Sequence, residues 1–448
     1  MSFIDMLKFG ALNFKDRTFI LLDNLKITYE RANDVVTCIG NLFSKFKSEF
    51  IAVRSENSLG EILGFLGVLF SKNVPIIVNK NIDDLSFLGK VENLEDFYFE
   101  EGILIEFYRI NIIHENKNIR AFKEKVIFKR ESLESFGVLS SGTTGTPKLI
   151  VRSSESWIRA FSYQSYLFNL RRVVKSFLVG SFSFSANLNM AMHILNLGGS
   201  IITTDSHLPK TWREVIKFNK VNSIFLVPSR YRILLKCYEE ENIFIESVLS
   251  CGEKLSYNLF DKLNKIFRAA KVIEYYGSSE TSFISYNSQE TFSLENKGVG
   301  IIFPEVQIIV NSNEFLVSSP YAAYGFEKRF KVNDYGFIDS NGILIIEGRG
   351  NDVVNKAGNK ISLKRIRSII EKNELIEEFV ALKLTSKLSG EEVGVVIVLK
   401  NKNTSINILK ASLKNELSLY EMPRVVVVEK LPINNNGKID IKRLINLF

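Results

Sequence analysis

Val272-Ile-Glu-Tyr-Tyr-Gly-Ser-Ser-Glu-Thr281 decides how the chain folds. It opens as an apolar strand, then breaks at Gly277 into hydroxyls and one carboxylate, Glu280. A glycine at the carboxyl end of a buried strand, followed by small polar side chains, suits a ligand crevice at the edge of a parallel sheet. Taken singly, the same letters also spell a strand followed by a serine-rich turn, so the surroundings must decide. Upstream the pattern repeats: helical spacing over 157–167 leads to a strand at 176–179, and helical spacing over 187–195 to a strand at 200–203. Apolar runs at 224–227 and 248–250 continue the series. Before residue 150 the chain reads as helix from Thr28 to about Lys45, strand 50–54, helix 61–70 and strand 74–78. Helices alternating with short apolar strands predict largely parallel sheets covered on both faces.

From about Gly298 the texture changes to short strands at 308–310, 315–317 and 343–346, with Asn341-Gly342 as a hairpin turn. This segment reads as antiparallel or barrel-like. A boundary follows at Gly348-Arg349-Gly350-Asn351-Asp352. Beyond it come a helix at 363–372, strands at 380–384 and 393–399, a helix at 406–417 after a Thr404-Ser405 cap, and a strand at 425–428. The predicted fold class is α/β. A large N-terminal lobe (1–350) of mostly parallel sheets covered by helices carries the barrel-like segment, and a small α+β lobe (351–448) follows.

Composition narrows the function. The chain has 448 residues, 24% charged and 46% hydrophobic, which fits a globular protein and excludes a disordered one. The 58 basic and 50 acidic residues leave a net charge of +8, spread along the whole length. That balance favours small anionic ligands and gives no patch dense enough for nucleic acid. Cys38, Cys237 and Cys251 stand far apart, as do His114, His193 and His207. Such spacing argues against a disulfide framework, a zinc site or a histidine triad, and for a reducing compartment. The most apolar stretch, 62–70, is too short to cross a bilayer, and Asp5 precedes any long apolar run. No transmembrane span and a cytoplasmic location are the expectations.

Four segments carry chemistry. Ser140-Ser141-Gly142-Thr143-Thr144-Gly145-Thr146-Pro147-Lys148 can turn its N–H groups toward phosphate oxygens, with Lys148 adding charge. It is not the P-loop of kinases and GTPases, because its glycines stand too close and a proline precedes the lysine. In Tyr275-Tyr-Gly-Ser-Ser-Glu-Thr281, Tyr276 can stack on a flat ring and Glu280 can hold a hard cation. Val332-Asn-Asp-Tyr-Gly-Phe337 with Gly348-Arg349 offers Asp334 to ribose hydroxyls and Arg349 as a donor. Leu431-Pro-Ile-Asn-Asn-Asn-Gly-Lys438 presents one lysine on a turn, which in isolation is an ordinary exposed loop.

In this order the four resemble the adenylate-forming superfamily: acyl-CoA synthetases, adenylation domains of non-ribosomal peptide synthetases, and firefly-type luciferases. Ser250-Cys-Gly-Glu-Lys-Leu255 and Gly298-Val-Gly-Ile-Ile-Phe-Pro304 support the resemblance, which covers essentially the whole chain. Tyr275 to Tyr286 and Phe225-Leu-Val-Pro228 look most like short bacterial fatty-acid–CoA ligases. The resemblance implies an enzyme that joins a carboxylic acid to ATP as acyl-AMP, releases pyrophosphate, and passes the acyl group to coenzyme A.

Residue by residue, it implies that 140–148 cover the β- and γ-phosphates. Gly252, Glu253 and Lys254 would line the adenine side with Tyr276 against the ring, and Tyr275, Gly277, Ser278 and Ser279 would border the nucleotide. Glu280 would be the Mg²⁺ ligand, Asp334 and Arg349 would meet the ribose, and Lys438 would contact the reacting carboxylate. Phe182, Phe184, Ser185 and Leu188, opposite Val299 and Gly300, would line the acid pocket, and Asn351 with Asp352 would form the hinge about which the small lobe rotates between half-reactions.

The chain also departs from the family. Its gate segment, Gly180-Ser-Phe-Ser-Phe-Ser-Ala-Asn187, has Ser185 near the usual histidine, Asn351 holds the place of the hinge acid or lysine, and Val332-Asn333 replaces the usual Thr-Gly. Leu197-Gly-Gly-Ser200 resembles a phosphopantetheine attachment site but leads into a strand, and reads as a helix-ending turn. The favoured acid is a medium or long fatty acid. Two other readings share these residues: a stand-alone enzyme loading an amino, hydroxy or aryl acid onto an acyl carrier protein, and a nucleotide-binding regulatory protein without catalysis.

Overall fold

The computed structural model describes residues 1–82, 84–100, 103–112, 116–128, 134–140, 147–171, 173–238, 242–292, 298–311, 313–349, 353–356, 359–386, 390–401, 404–414, 416–434 and 439–448. The chain divides into two units. The first comprises Met1–Ile309, Leu316–Phe330 and Ser340–Leu344, and the second Val310–Phe315, Lys331–Asp339 and Ile345–Phe448.

Two sheets build the first unit. A nine-stranded sheet runs Ile301–Ile302, Ser282–Asn287, Lys271–Ser278, Ser247–Cys251, Ser223–Phe225, Lys175–Leu178, Ser200–Thr203, Thr18–Leu22 and Leu25–Thr28. From Lys271–Ser278 across to Thr18–Leu22 every pairing is parallel. A six-stranded sheet runs Lys90–Glu100, Ile103–Asn111, Phe50–Ser55, Val74–Ile77, Ser135–Ser140 and Lys148–Ser153, with a parallel centre of Phe50–Ser55, Val74–Ile77 and Ser135–Ser140. The expected parallel sheets are therefore present. The antiparallel hairpin Lys90–Glu100 with Ile103–Asn111 was not anticipated, because charged residues break its apolar alternation.

Local chemistry sets the elements. Thr28 caps the helix Tyr29–Leu42 through Arg31 N, Asn57 caps Ser58–Phe70 through Gly60 N, and Ser153 caps Ser154–Leu167 through Ser156 N. The helix Ser58–Phe70 is buried almost all round, whereas Pro209–Phe218 buries only Trp212 and Ile216. The Leu197-Gly-Gly-Ser200 segment is indeed a helix-ending turn: Gly199 N reaches Ile194 O, Gly198 takes φ +63°, and Ser200 begins a strand. Strands Gln307–Asn311, Glu314–Ser318, Phe330–Ile338 and Leu344–Arg349 form a four-stranded sheet in that order.

Within the second unit, Gly390–Leu399 pairs with Ile376–Ser386 on one side and, in parallel, with Arg424–Val427. The helices Leu363–Glu371 and Ile406–Lys414 pack Ile366, Ile370, Leu409 and Leu413 against Val393, Val395 and Ile397. The α+β expectation for this region holds in its elements. Among the described residues no helix is long and apolar enough to cross a membrane.

Gly277 is the tightest backbone approach beside the decisive turn. The register between Lys271–Ser278 and Ser282–Asn287 shifts at Tyr276/Gly277, and a Cβ on Gly277 would stand 2.0 Å from the backbone oxygen of Ser282. Gly277→Ala is expected to cost about 1–3 kcal/mol by forcing the two strands apart. Its thermal unfolding should fall by several degrees relative to wild type in a calorimetric scan, and an unchanged midpoint would show that the bulge tolerates a side chain.

Candidate active site

Parallel strands send all their following loops to one edge. At the carboxyl edge of the nine-stranded sheet lie 179–184 after Lys175–Leu178, 226–227 after Ser223–Phe225, 252–256 after Ser247–Cys251 and 279–281 after Lys271–Ser278. Strand order reverses here. Ser200–Thr203 lies on one side of Lys175–Leu178 and Ser223–Phe225 on the other, so the chain leaves these two strands in opposite directions. Such a switch point opens a crevice at the carboxyl edge.

Among the described residues, four Asp, Glu, Lys or Arg side chains are buried: Glu61, Arg152, Arg230 and Glu274, exposed by 4%, 1%, 8% and 3%. Charges are rarely buried unless partners hold them. All four hold segments of this edge.

Arg152, on the strand Lys148–Ser153, supports the Glu280 turn. Its guanidinium donates to Ser282 Oγ at 2.6 Å, Ser279 O at 3.2 Å and Tyr321 O at 3.4 Å, and lies 5.0 Å from the Trp157 ring centre. Trp157 Nε1 donates to the same Ser282 Oγ at 3.2 Å. Burial pulls the Arg152 pKa down to about 9, opposed by the charge of Glu280. Within the turn, Thr281 N donates to Ser278 Oγ at 3.2 Å, and Ala323 N donates to Glu280 O at 2.7 Å. The backbone of the turn is thus fixed, while the Glu280 residue is only half-buried.

Glu274 gathers the neighbouring loop. It accepts from Lys254 Nζ at 2.9 Å, from Leu255 N at 2.5 Å and from Asn287 Nδ2 at 3.0 Å. Lys254 also donates to Gly298 O at 2.5 Å, so its ammonium is committed to this network. Lys254, expected on the adenine side, is thereby tied to the buried Glu274. Tyr275 likewise packs inward, stacking on Phe168 and Phe225 with ring centres 5.5 and 6.2 Å apart. Glu253 lies 3.9 Å from Arg232 and accepts from Ser229 Oγ at 3.4 Å, Gly252 takes φ +85°, and Tyr276 is half-buried.

The hairpin Ser135–Ser140 with Lys148–Ser153 sets Ser140 opposite Lys148, and Ser140 Oγ donates to Lys148 O at 3.4 Å. Ser141, Gly142, Thr143, Thr144 and Gly145 lie outside the described residues, as do Asn351, Asp352 and Lys438. Asp334 is half-buried on Phe330–Ile338, and Arg349 ends the adjacent strand Leu344–Arg349.

Glu61 and Arg230 hold the segment 179–184. Ser181 Oγ donates to Glu61 Oε1 at 2.6 Å and Phe182 N to Glu61 Oε2 at 2.7 Å. Arg230 donates to Val179 O, and Asn187 Nδ2 reaches the carbonyls of Val179, Gly180 and Ser181 at 3.2–3.3 Å. Burial raises the Glu61 pKa to about 7 and lowers that of Arg230 to about 10. Phe182 and Leu188 are buried, and Phe184 and Ser185 are half-buried. Ser185 Oγ stands 3.3 Å from Ser279 Oγ, which brings the gate segment against the Glu280 turn. Val299 and Gly300 sit by the strand Ser282–Asn287: Ser285 Oγ donates to Val299 O at 2.8 Å, and a Cβ on Gly300 would lie 1.9 Å from Tyr286 O.

Glu61 and Arg152 lie outside every motif legible in the sequence. Their signal was a charge inside an apolar run, Ser58-Leu-Gly-Glu-Ile-Leu in one case and Leu149-Ile-Val-Arg152 in the other.

A hydroxyl-and-carboxylate turn at the switch-point edge of a doubly wound sheet suits a nucleotide crevice. Residues 135–320, which hold that turn, match the AMP-binding enzyme family. "Putative long chain fatty acid-CoA ligase VraA" of Staphylococcus aureus (strain COL) is 24% identical over 469 residues, covering 99% of this chain and 98% of its own. Two solved structures share the fold. ATP-bound MatB from Rhodopseudomonas palustris superposes with TM-score 0.76 at 16% identity, covering 100% of this chain and 99% of its own. The o-succinylbenzoate CoA synthetase MenE from Bacillus subtilis, in complex with its acyl-adenylate intermediate, does so with TM-score 0.73 at 15% identity, covering 98% and 97%. With the family match and relatives named acyl-CoA ligases, the chain is by class an AMP-forming acid–CoA ligase.

Arg152→Met keeps the apolar volume but strips donors from Ser279 O, Tyr321 O and Ser282 Oγ. Leaving buried acceptors unpaired is expected to cost about 1–3 kcal/mol. Pyrophosphate exchange should fall at least tenfold while the protein stays folded by circular dichroism. Wild-type exchange in this variant would mean that the turn does not depend on Arg152.

Proposed function

We propose that this chain activates an apolar carboxylic acid, a medium or long fatty acid, as acyl-AMP and transfers the acyl group to coenzyme A. One observation carries the reading: the turn bearing Glu280 stands at the carboxyl edge, with Ser279 Oγ 3.3 Å from Ser185 Oγ at the start of the gate helix Ser185–Asn196. The nucleotide side and the acid side therefore meet at one point. The Staphylococcus aureus relative, named as a long chain fatty acid-CoA ligase, supports a long-chain acid. The gate hydroxyls support it too, since Ser181 is spent on Glu61 and Ser183, and Ser185 faces Ser279. Phe182, Phe184 and Leu188 are left as the apolar contribution of this segment.

A carboxylate oxygen of the acid attacks the α-phosphorus of ATP, and the bond to the bridging oxygen of pyrophosphate breaks. Negative charge grows on the phosphoryl oxygens, so fixed donors and cations placed there lower the barrier. Lys148 at the end of its hairpin and the N–H groups of 140–146 would bind the leaving phosphates. Asp334 and Arg349 would orient the ribose, and Lys438 would neutralise the reacting carboxylate and bridging oxygen. The turn fits Mg²⁺: Glu280 supplies one half-buried carboxylate among the hydroxyls of Ser278, Ser279 and Thr281, a hard-oxygen set that suits an ion sharing its shell with phosphates and water. When bound, Mg²⁺ supplies Lewis-acid charge stabilisation. The coenzyme A thiolate then attacks the acyl carbon, and AMP leaves with the oxygen it took from the acid. The division into lobes at 350/351 and the hinge at Asn351–Asp352 belong to this proposal, with the small lobe serving the two half-reactions in turn.

A pyrophosphate-release screen over acids from hexanoate to palmitate, each with and without coenzyme A, tests the reading. Affinity should rise about fourfold per added methylene, at about 0.8 kcal/mol each, until the pocket is full. A flat response would contradict an apolar pocket, and release only with a carrier protein would replace coenzyme A as acceptor. Glu280→Ala should reduce pyrophosphate exchange at least 100-fold at saturating ATP while leaving the fold intact, and near-wild-type exchange would remove Glu280 from the metal site.

A further inference from the structure

The segment 179–184 leaves the strand at the switch point and turns into the helix that begins at Ser185. Its backbone makes one turn, Phe184 N to Ser181 O at 3.3 Å, and side chains from outside the segment grip it as well. The grip comes from three elements. Glu61, on the helix Ser58–Phe70 beside the other sheet, takes both the Ser181 hydroxyl and the Phe182 N–H, one on each carboxylate oxygen. Arg230, from the helix Pro228–Leu235, takes Val179 O, and its guanidinium would be 2.8 Å from any Cβ at Gly180, which sits at φ +100°. Asn187, on the gate helix itself, reaches three successive carbonyls.

We infer that Glu61 is a specificity-determining positioning residue, whose two hydrogen bonds fix the wall formed by Phe182 and Phe184 and so set which acids fit. This rests on the proposed reading that the segment lines the acid pocket. A bidentate grip on a side chain and the next backbone N–H fixes both the path of the loop and the direction in which Phe182 leaves it. A packing contact alone would allow either to slide. Keeping a carboxylate 4% exposed on an otherwise apolar helix costs stability, which a leucine at this position would not.

The charge of Glu61 connects the grip to pH. Burial raises its pKa to about 7, Asp205 adds to the rise, and Lys80 and the two hydrogen bonds oppose it. Lys80 also pairs with Glu56 at 3.2 Å, and Asp205 lies near Asp23 and His207. Protonation removes one acceptor from the pair of grips. The folded pKa lies above the ordinary value of 4.5, so the contribution of this group to stability is full below about 4.5 and is lost as pH rises through about 7. The grip on the loop behaves oppositely, being strongest above 7.

The test compares wild type with Glu61→Gln, using the full chain, ATP and the acid ladder from hexanoate to palmitate. The amide can accept from only one of the two donors. Glu61→Gln should raise KM for the preferred acid about tenfold, hold KM for ATP within about twofold and flatten the chain-length preference. The wild-type acid KM should inflect near pH 7 and the variant's should not. Unchanged acid KM and preference would overturn the inference, as would acid and ATP KM rising together in step with lost thermal stability. Should Glu61→Gln not fold, Ser181→Ala removes one donor and should raise acid KM about threefold, with an unchanged value overturning the inference. Phe184→Ala separates the two layers of argument. A shifted chain-length preference there, with none in Glu61→Gln, would keep the pocket and reject the role of Glu61. No shift in Phe184→Ala would reject the pocket itself and the inference with it.

Discussion

A charge moved out of water must find hydrogen bonds at once, and four buried charges of the first unit find them in the loops at the carboxyl edge. Arg152 meets the backbone of 279–282, Glu274 the start of 254–255, Arg230 the carbonyl of Val179, and Glu61 the pair Ser181 and Phe182. Each group would be costly if its loop moved away, because the desolvated charge would be left without partners. The loops are irregular in hydrogen bonding yet tightly specified in position. Serine and glycine give them their turns, and the buried charges give them a fixed place.

This arrangement bears on catalysis. Stabilising developing charge on phosphoryl oxygens requires donors whose orientation is settled before the reaction begins. On the proposed reading, Arg152 contributes without touching substrate: it fixes the backbone beneath Glu280, and the carboxylate above stays open to a cation. Glu61 acts in the same manner on the acid side. On the same reading, the contact between Ser185 and Ser279 joins the two sides. The serine near the usual histidine of the gate is small enough to allow this contact.

The parallel sheets were legible because their strands are short, apolar and separated by helical spacing, as at 176–179 and 200–203. The turn at Gly277 was legible because glycine and hydroxyls break an apolar strand abruptly. The hairpin around 90–111 was hidden by the charged residues that interrupt its apolar alternation. The pairing of Lys254 was not legible, because its partner Glu274 lies 20 positions away on the next strand. Glu61 and Arg152 were invisible as site residues for the same reason. Glu61 and Ser181 are 120 residues apart, and Arg152 and Ser282 are 130 apart. No local pattern announces a pairing that only the meeting of two sheets creates.

The central claim is that an acid oxygen ends on AMP. It is tested directly by supplying the acid with its carboxylate labelled in ¹⁸O, together with ATP and coenzyme A, and weighing the nucleotide product. The account predicts one ¹⁸O in AMP for each acyl-CoA formed and none in pyrophosphate. Label in inorganic phosphate with ADP as the nucleotide product, or unlabelled AMP, would contradict it.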